Sequence, residues 1–219
     1  MNKENYKVLL FDAANTLIHK PDLWIRISNV LEKYSIKVDQ LELKKKHKLL
    51  SEIIHFPDRT SAGFYRTFNY EYLLSLGVVA DNKMLDELFA ACTYLPWKAF
   101  EDTAALKKIT LKKAILSNFN SQLADHIYEI FDKDVFDTII GSEKEGVAKP
   151  NIAFYQRALE ILDVTPKSVL YIGDSLKLDI LPAQSLGIDA WLIDRDDNFT
   201  AFKKRITSFS ELNKIMGLS

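Results

Sequence analysis

Short apolar runs closed by polar residues recur along this chain, and they constrain its fold more than any other feature. The runs are Tyr6–Phe11 (YKVLLF), Lys113–Ser117 (KAILS), Phe136–Ile140 (FDTII), Ser168–Ile172 (SVLYI) and Ile188–Ile193 (IDAWLI). Each is of strand length and apolar through much of its span, which is how a strand covered on both faces reads. Helical spacing lies between the later runs. Leu123, Ile127 and Phe131 share one face, as do Ile152, Tyr155, Leu159 and Leu162. Strand–helix alternation of this kind predicts an α/β fold with a doubly wound parallel sheet.

The alternation is interrupted between Leu17 and Lys98, where the pattern is helical only. Trp24, Ile27, Val30 and Leu31 mark one helix, and Phe64, Phe68, Tyr72, Leu73 and Leu76 another, with Gly77 placed to end it. The expectation is an α/β core of residues 1–17 and 99–219 with a helical cap domain, residues 18–98, inserted after the first strand. Such an insertion is expected to fold back as a lid over the strand ends, where open α/β sheets place their ligands. Near the C-terminus, Ser208 and Glu211 match a capping box that opens a last helix through about Met216.

Composition narrows the class. At 47% hydrophobic and 27% charged residues the chain can bury a core, which excludes intrinsic disorder. Its 29 Lys and Arg against 30 Asp and Glu lack the basic surplus of a nucleic-acid binder. No apolar run approaches the ~18 residues of a membrane span, and the N-terminal one is too short for a secretory signal. A lone cysteine, Cys92, cannot close an internal disulfide or supply a cysteine-based zinc site. The expectation is a cytoplasmic globular protein, monomer or homodimer, with neither nucleic acid nor membrane as partner.

The residues that carry chemistry sit where the predicted strands end. Asp12-Ala13-Ala14-Asn15-Thr16-Leu17 follows the first run, Ser117-Asn118 the second, and Gly173-Asp174 through Asp179 the fourth, while Gly146-Val147-Ala148-Lys149-Pro150 precedes a helix. In a parallel sheet these ends share one edge, so the residues converge on one crevice. The set comprises carboxylates (Asp12, Asp174, Asp179), the Ser117 hydroxyl, the Asn118 amide and the Lys149 ammonium. Crowded carboxylates repel unless one is protonated or a cation sits among them. A hard cation with oxygen ligands, Mg²⁺, is the economical answer. Lys149 and Ser117 would then face a substrate's negative charge, a combination suited to phosphoryl transfer on a small phosphorylated compound.

Taken together, DxxxTL, SN, GVAKP and GDSxxxxD, in this order and at this spacing, resemble the haloacid dehalogenase-like (HAD) superfamily. The resemblance runs from about Lys7 to Arg195, and the helical insertion resembles that family's C1-type cap. It implies an Mg²⁺-dependent hydrolase with Asp12 as nucleophile, passing through an aspartyl intermediate. It also implies Mg²⁺ ligation by Asp12, the Ala14 carbonyl and Asp174, with Asp179 acting behind them or through a metal-bound water. Ser117 and the Asn118 amide would hold the transferred phosphoryl oxygens, and Lys149 would tie nucleophile and phosphoryl group together.

One position departs from the pattern. Family phosphatases carry a second Asp two residues after the nucleophile, as general acid and base, and this chain has Ala14. Loss of acid–base help removes typically ~10²–10⁴-fold in rate. The departure admits a weakened phosphatase that prefers good leaving groups such as acyl or aryl phosphates. It also admits a phospho-ligand binder without turnover, or a hydrolase like the phosphonoacetaldehyde hydrolases, which carry Ala there and use a cap lysine. Lys44, Lys45, Lys46 and Lys48 are the lysines in range, with Lys48 foremost. They read as a solvated helix face opposite Leu43, Leu49, Leu50, Ile53 and Ile54. Metal-free dehalogenation is disfavoured, because Asp174 and Asp179 brought beside Asp12 without a cation would blunt the nucleophile.

The remaining polar residues read as structural. His19, His47, His55 and His126 show no ligand spacing, though His19 follows the first motif closely. Cys92 reads as a small buried apolar residue, and the aromatics of the insertion as helix packing. Arg26, Arg59 and Arg66 are cations able to meet an anionic substrate.

Overall fold

The computed structural model describes residues 6–54, 56 and 60–217. Two compact units emerge: Met1–His19 with Lys98–Ser219, and Lys20–Trp97. In chain order, the first unit opens with β1 (Val8–Phe11) and the short β2 (Ile18–His19). The second unit consists of α1 (Leu23–Lys33), α2 (Gln40–Ile53), α3 (Ala62–Ser75) and α4 (Asn82–Cys92). The chain then returns through β3 (Lys98–Ala99) and β4 (Lys112–Ser117) to α5 (Leu123–Ile130) and β5 (Thr138–Gly141). There follow α6 (Ser142–Glu145), α7 (Ile152–Leu162), β6 (Val169–Gly173) and α8 (Leu181–Ser185), then β7 (Asp189–Ile193), β8 (Arg205–Ile206) and α9 (Leu212–Met216).

Six strands form a sheet in the order β5-β4-β1-β6-β7-β8. Every pairing in it is parallel. β1 sits at the centre, Phe11 in register with Ile115 of β4 and Ile172 of β6. It is buried on both faces. Val8 and Leu10 join Leu116, Phe154, Tyr171 and Leu192 in one cluster. On the other face Phe11 meets Phe136 and Phe209 edge-on, centroids 6.3 and 5.6 Å away. Full burial of such side chains contributes about 1.5–3 kcal/mol each, which is why the run is apolar throughout rather than alternating.

Two strands begin two residues later than the apolar runs suggest, β1 at Val8 rather than Tyr6 and β5 at Thr138 rather than Phe136, while β4 begins one residue earlier, at Lys112. The ribbon of β2 and β3, paired antiparallel, and the edge strand β8 have no counterpart in the sequence reading. Two-residue strands carry no period to detect. Pro150 does not open α7; Asn151 caps it, accepting a hydrogen bond from Ala153 N at 3.0 Å. The Ser208–Glu211 capping box is present, but it opens a 3₁₀ turn that leads into α9.

The helical unit has its own core, with Ile27, Leu31, Leu43, Phe68, Leu73 and Leu88 among its members. Side-chain caps start three of its helices: Asp39 accepts from Leu41 N, Ser61 from Phe64 N and Asp81 from Met84 N. Gly77 takes a left-handed φ of 77° two residues after α3, where a side chain would be strained. Of the residues assigned to the apolar side of α2, Ile53 faces solvent with 74% exposure. It is the last residue of the helix. No helix among the described residues is long and apolar enough to cross a membrane.

Candidate active site

Asp12 extends the β1–β6 ladder one residue past the strand, its N–H donating to Ile172 O at 2.9 Å. The chain then turns back sharply. Leu17 N and Ile18 N both donate to Ala13 O, and Asn15 N donates to Ile18 O, with Asn15 at a left-handed φ of 60°. Asn is among the few side chains that tolerate this region. The Ala14 carbonyl accepts no backbone hydrogen bond among the described residues.

Four of the anticipated residues meet in a buried network. Lys149 Nζ lies 2.6 Å from Asp12 Oδ1 and 2.7 Å from Asp179 Oδ1. Ser117 Oγ, at the end of β4, donates to Asp12 Oδ1 at 3.1 Å. All four side chains are buried. A buried ion pair is retained only when its partners are saturated with hydrogen bonds, and Asp179 satisfies that condition. Its Oδ1 also accepts from Tyr171 Oη at 2.7 Å, and its Oδ2 from Ser175 N at 3.0 Å. The chain that carries Asp179 reaches this position through a single π-helical turn, Leu176–Ile180.

Asn118 joins the end of β4 to the segment that carries Lys149. Its side chain grips the backbone of Lys149 in both directions, Nδ2 donating to Lys149 O at 2.9 Å and Oδ1 accepting from Lys149 N at 2.8 Å. The amide side chain therefore helps to place the Lys149 backbone. Asp174 is half-buried. Its carboxylate comes together with those of Asp12 and Asp179, one ligand atom from each lying within 4.8 Å of the others.

Two residues of the network were not read from the sequence. Tyr171 lies mid-strand in β6, fully buried, where it passes for a core aromatic. Its hydroxyl was the available signal, since a buried phenol needs a partner. Gly173 has a steric role: a Cβ there would stand 2.4 Å from Asp179 Cγ. Only a glycine lets the carboxylate approach the strand this closely.

The electrostatics follow from the burial. Desolvation, opposed by Lys149 and reinforced by Asp179 and Asp174, pushes the Asp12 carboxyl from 3.8 up to about 7. Burial alone would pull the Lys149 ammonium down, but the charges and hydrogen bonds of Asp12 and Asp179 outweigh it and hold its pKa above the usual lysine value. Two carboxylates thus share one ammonium with a third, Asp174, close by, and the excess negative charge is what a cation would neutralise. The donor set is oxygen only, as a hard cation requires. Asp12, Asp174 and Asp179 each offer one carboxylate oxygen to such an ion. Mg²⁺ is commonly held by one or two carboxylates together with water and substrate phosphate, so the residues present fit it.

Outside this network the candidates disperse. Lys48 Nζ lies 3.2 Å from Glu52 one turn along α2. Arg66 is tied to Asp86 and Asn82, and Arg26 is exposed. His19 stacks on Phe100 at 4.0 Å, and His47 packs among Trp24, Phe68 and Tyr72. His126 Nδ1 lies 3.5 Å from Glu129. Burial raises the Cys92 thiol to about 11, leaving it inert at neutral pH. His55 and Arg59 lie outside the described residues.

Residues 6–187 match the family model of the haloacid dehalogenase-like hydrolases. Over 105 residues the chain is 36% identical to the haloacid dehalogenase-like hydrolase domain-containing protein 3 of Danio rerio, covering 46% of this chain and 43% of that protein. The match therefore spans less than half of that relative's length. A glyceraldehyde 3-phosphate phosphatase of Methanothermobacter thermautotrophicus is 25% identical over 166 residues, 71% of each chain. Among solved structures, the magnesium-bound HAD-hydrolase YfnB of Bacillus subtilis superposes with a TM-score of 0.65 at 20% identity, covering 97% of this chain and 99% of that one. The L-2-haloacid dehalogenase of Xanthobacter autotrophicus does so with 0.63 at 20% identity, covering 98% and 100%. At such identities the superpositions speak for the fold alone.

Proposed function

The chain belongs to the haloacid dehalogenase-like hydrolases, and from that premise we propose that it is a phosphatase-type hydrolase acting through Asp12 on a small phosphorylated compound. The observation that carries this reading is the buried contact of Lys149 Nζ with Asp12 at 2.6 Å, beside a carboxylate cluster able to hold a cation. The phosphatases among its relatives support the substrate class.

In this mechanism the Asp12 carboxylate attacks phosphorus as the bond to the leaving oxygen breaks, giving an aspartyl phosphate. Water then attacks that acyl phosphate, phosphate departs, and the carboxylate is restored. Lys149 and Ser117 orient Asp12 and bring positive charge and a hydroxyl donor to the developing negative oxygens. Asp179, held by Tyr171 and the Ser175 amide, keeps the lysine in place. Mg²⁺, when bound by Asp12, Asp174 and the Ala14 carbonyl, supplies charge neutralisation for the phosphoryl group.

Ala14 brings no proton to the leaving oxygen. The enzyme is therefore expected to favour acyl and aryl phosphates, whose leaving groups depart unprotonated, and to hydrolyse its intermediate slowly. The same Ala14 favours a second reading, a protein that binds a phosphorylated ligand without turnover. A Schiff-base route to phosphonate cleavage has no support from Lys48, which is engaged with Glu52.

Mass spectrometry after incubation with Mg²⁺ and acetyl phosphate, beside Asp12→Asn, tests the proposal, with phosphate release followed in parallel. A phosphoryl adduct on the wild type alone, released slowly, is the expected result. Brisk release would mean that another group replaces the missing acid–base residue. Absence of adduct and of turnover in a protein that binds Mg²⁺ would leave the binding reading.

A further inference from the structure

The loop that carries Asp12 and Ala14 is held at the Thr16 carbonyl by an arginine from beyond the turn. Within the turn, Asn15 N donates to Ile18 O, and Leu17 N and Ile18 N to Ala13 O. The Thr16 carbonyl points away, and Arg195 Nη2 donates to it at 2.9 Å. Arg195 is itself fixed on several sides. Its Nη1 donates to Asp102 Oδ2 at 2.7 Å, and its guanidinium carbon lies 3.8 Å from the Phe100 ring centroid and 5.2 Å from that of Phe209. Asp102 Oδ2 is anchored in turn by Ser208 Oγ at 2.9 Å and Phe209 N at 2.8 Å. The residue before the arginine is equally constrained, Asp194 accepting from Asn198 N at 2.9 Å and Phe199 N at 2.7 Å.

Phe100 continues the hold along the same loop. Its N–H donates to Leu17 O at 3.0 Å, and its ring stacks on His19. Successive residues after the nucleophile are thus gripped by the pair Arg195 and Phe100. Thr16 Oγ1, Asp102 Oδ1 and Arg195 Nε are buried and make no hydrogen bond among the described residues, and unpaired buried polar atoms are destabilising. Arg195 also lies beyond residue 187, where the family match ends.

We propose that Arg195 is a positioning residue for the Asp12 loop, holding the Thr16 carbonyl while Asp102 and Phe100 hold the arginine. The proposal rests on the reading of Asp12 as nucleophile for its consequence in catalysis, but not for the hold itself. A guanidinium suits the task because its planar fork donates in two fixed directions at once, to a carbonyl and to a carboxylate, which a lysine ammonium does not reproduce.

Hydrogen exchange of the peptide spanning residues 11–18, compared with peptides from β1, β4 and β6, tests the hold in wild type, Arg195→Ala and Arg195→Lys. Both variants are expected to exchange the Asn15, Leu17 and Ile18 amides about tenfold faster while the three strands are unchanged. Millimolar guanidinium, far below denaturing concentrations, is expected to restore slow exchange in Arg195→Ala and not in Arg195→Lys. The rate of adduct formation from acetyl phosphate should fall and recover in step, with its dependence on acetyl phosphate concentration little changed. Unchanged exchange in the loop, or acceleration spread evenly over the strands, would overturn the proposal. If Arg195→Ala does not fold, Arg195→Lys decides alone, and loop exchange equal to wild type would overturn it. If the wild type forms no adduct, the fault lies with the catalytic reading, and the exchange arm still decides whether Arg195 holds the turn.

Discussion

The core unit and the helical unit each bury ionisable side chains, and they do so in opposite ways. In the core, Asp12 and Asp179 are buried with Lys149 between them, hydrogen-bonded to it at 2.6 and 2.7 Å. In the helical unit, His47 is largely out of solvent among Trp24, Phe68 and Tyr72, and burial, with the nearby Lys48 charge, lowers its pKa from 6.5 to about 4. One unit keeps charge by pairing it; the other removes charge by neutralising it. A lone ionisable group in an apolar setting is a packing element, whereas a paired and incompletely neutralised cluster has something left to bind.

The contrast is broken most severely by removing the shared cation. Lys149→Met leaves two buried carboxylates unpaired, which is expected to cost about 3–5 kcal/mol. Formation of the aspartyl adduct should fall by at least ~10²-fold. Urea unfolding and the mass-spectrometric time course check the two effects, and a variant as stable and as reactive as wild type would remove Lys149 from the site.

Titration separates the two units next. With Asp12 raised to about 7 in the fold against 3.8 unfolded, the native core binds the extra proton between those values. Without divalent cation, its stability should therefore fall as pH rises from 4 to 7. His47 acts with the other sign: the unfolded chain binds more protons between pH 4 and 6.5, so the helical unit should gain stability as pH rises through that window. Each effect is on the order of a few kcal/mol. Hydrogen exchange resolved by unit, from pH 4 to 7, measures both. Asp12→Asn should flatten the first trend and His47→Phe the second, and Mg²⁺ at pH 7 should restore the core.

Gly173→Ala sharpens the comparison on the core side alone. Its Cβ would fall 2.4–2.6 Å from Asp179, so a stability loss of about 1–3 kcal/mol is expected. Adduct formation should slow as Asp179 shifts from Lys149. Thermal melts beside the adduct assay would expose a loss of stability without any change in reactivity, which would dissociate Asp179 from the lysine's position. The smallest effect belongs to Lys48→Ala. A partly exposed pair with Glu52 contributes about 0–1 kcal/mol, and adduct formation should be unaffected. Reductive trapping of an aldehyde at Lys48 would contradict this.

Much of the site was legible in the chain because it is built at strand ends. An apolar run that stops at a carboxylate, a Ser-Asn pair or Gly-Asp announces a sheet edge, so Asp12, Ser117 and Asp174 could be named from position and type. Lys149 could be named as a cation before a helix. The residues behind them could not. Tyr171 reads as a core aromatic, and Gly173 gives no sign in the sequence of the room it leaves for Asp179. Arg195 lies 179 positions from the Thr16 it holds. Asn118 was identified, but its side chain proved to grip the Lys149 backbone.

What the sequence determined by itself is what local pattern can encode: an α/β chain with a parallel sheet, interrupted by helices after its first strand, with charged residues brought to one edge. Periodicity and turn chemistry act over a few residues and survive without knowledge of the fold. The pairing of Lys149 with both Asp12 and Asp179, the approach of Asp179 over Gly173, and the arginine on the Asp12 loop were decided only in three dimensions. They depend on close contacts between segments far apart in the chain. No local spacing specifies such contacts, because only the register of β1, β4 and β6 sets which side chains meet.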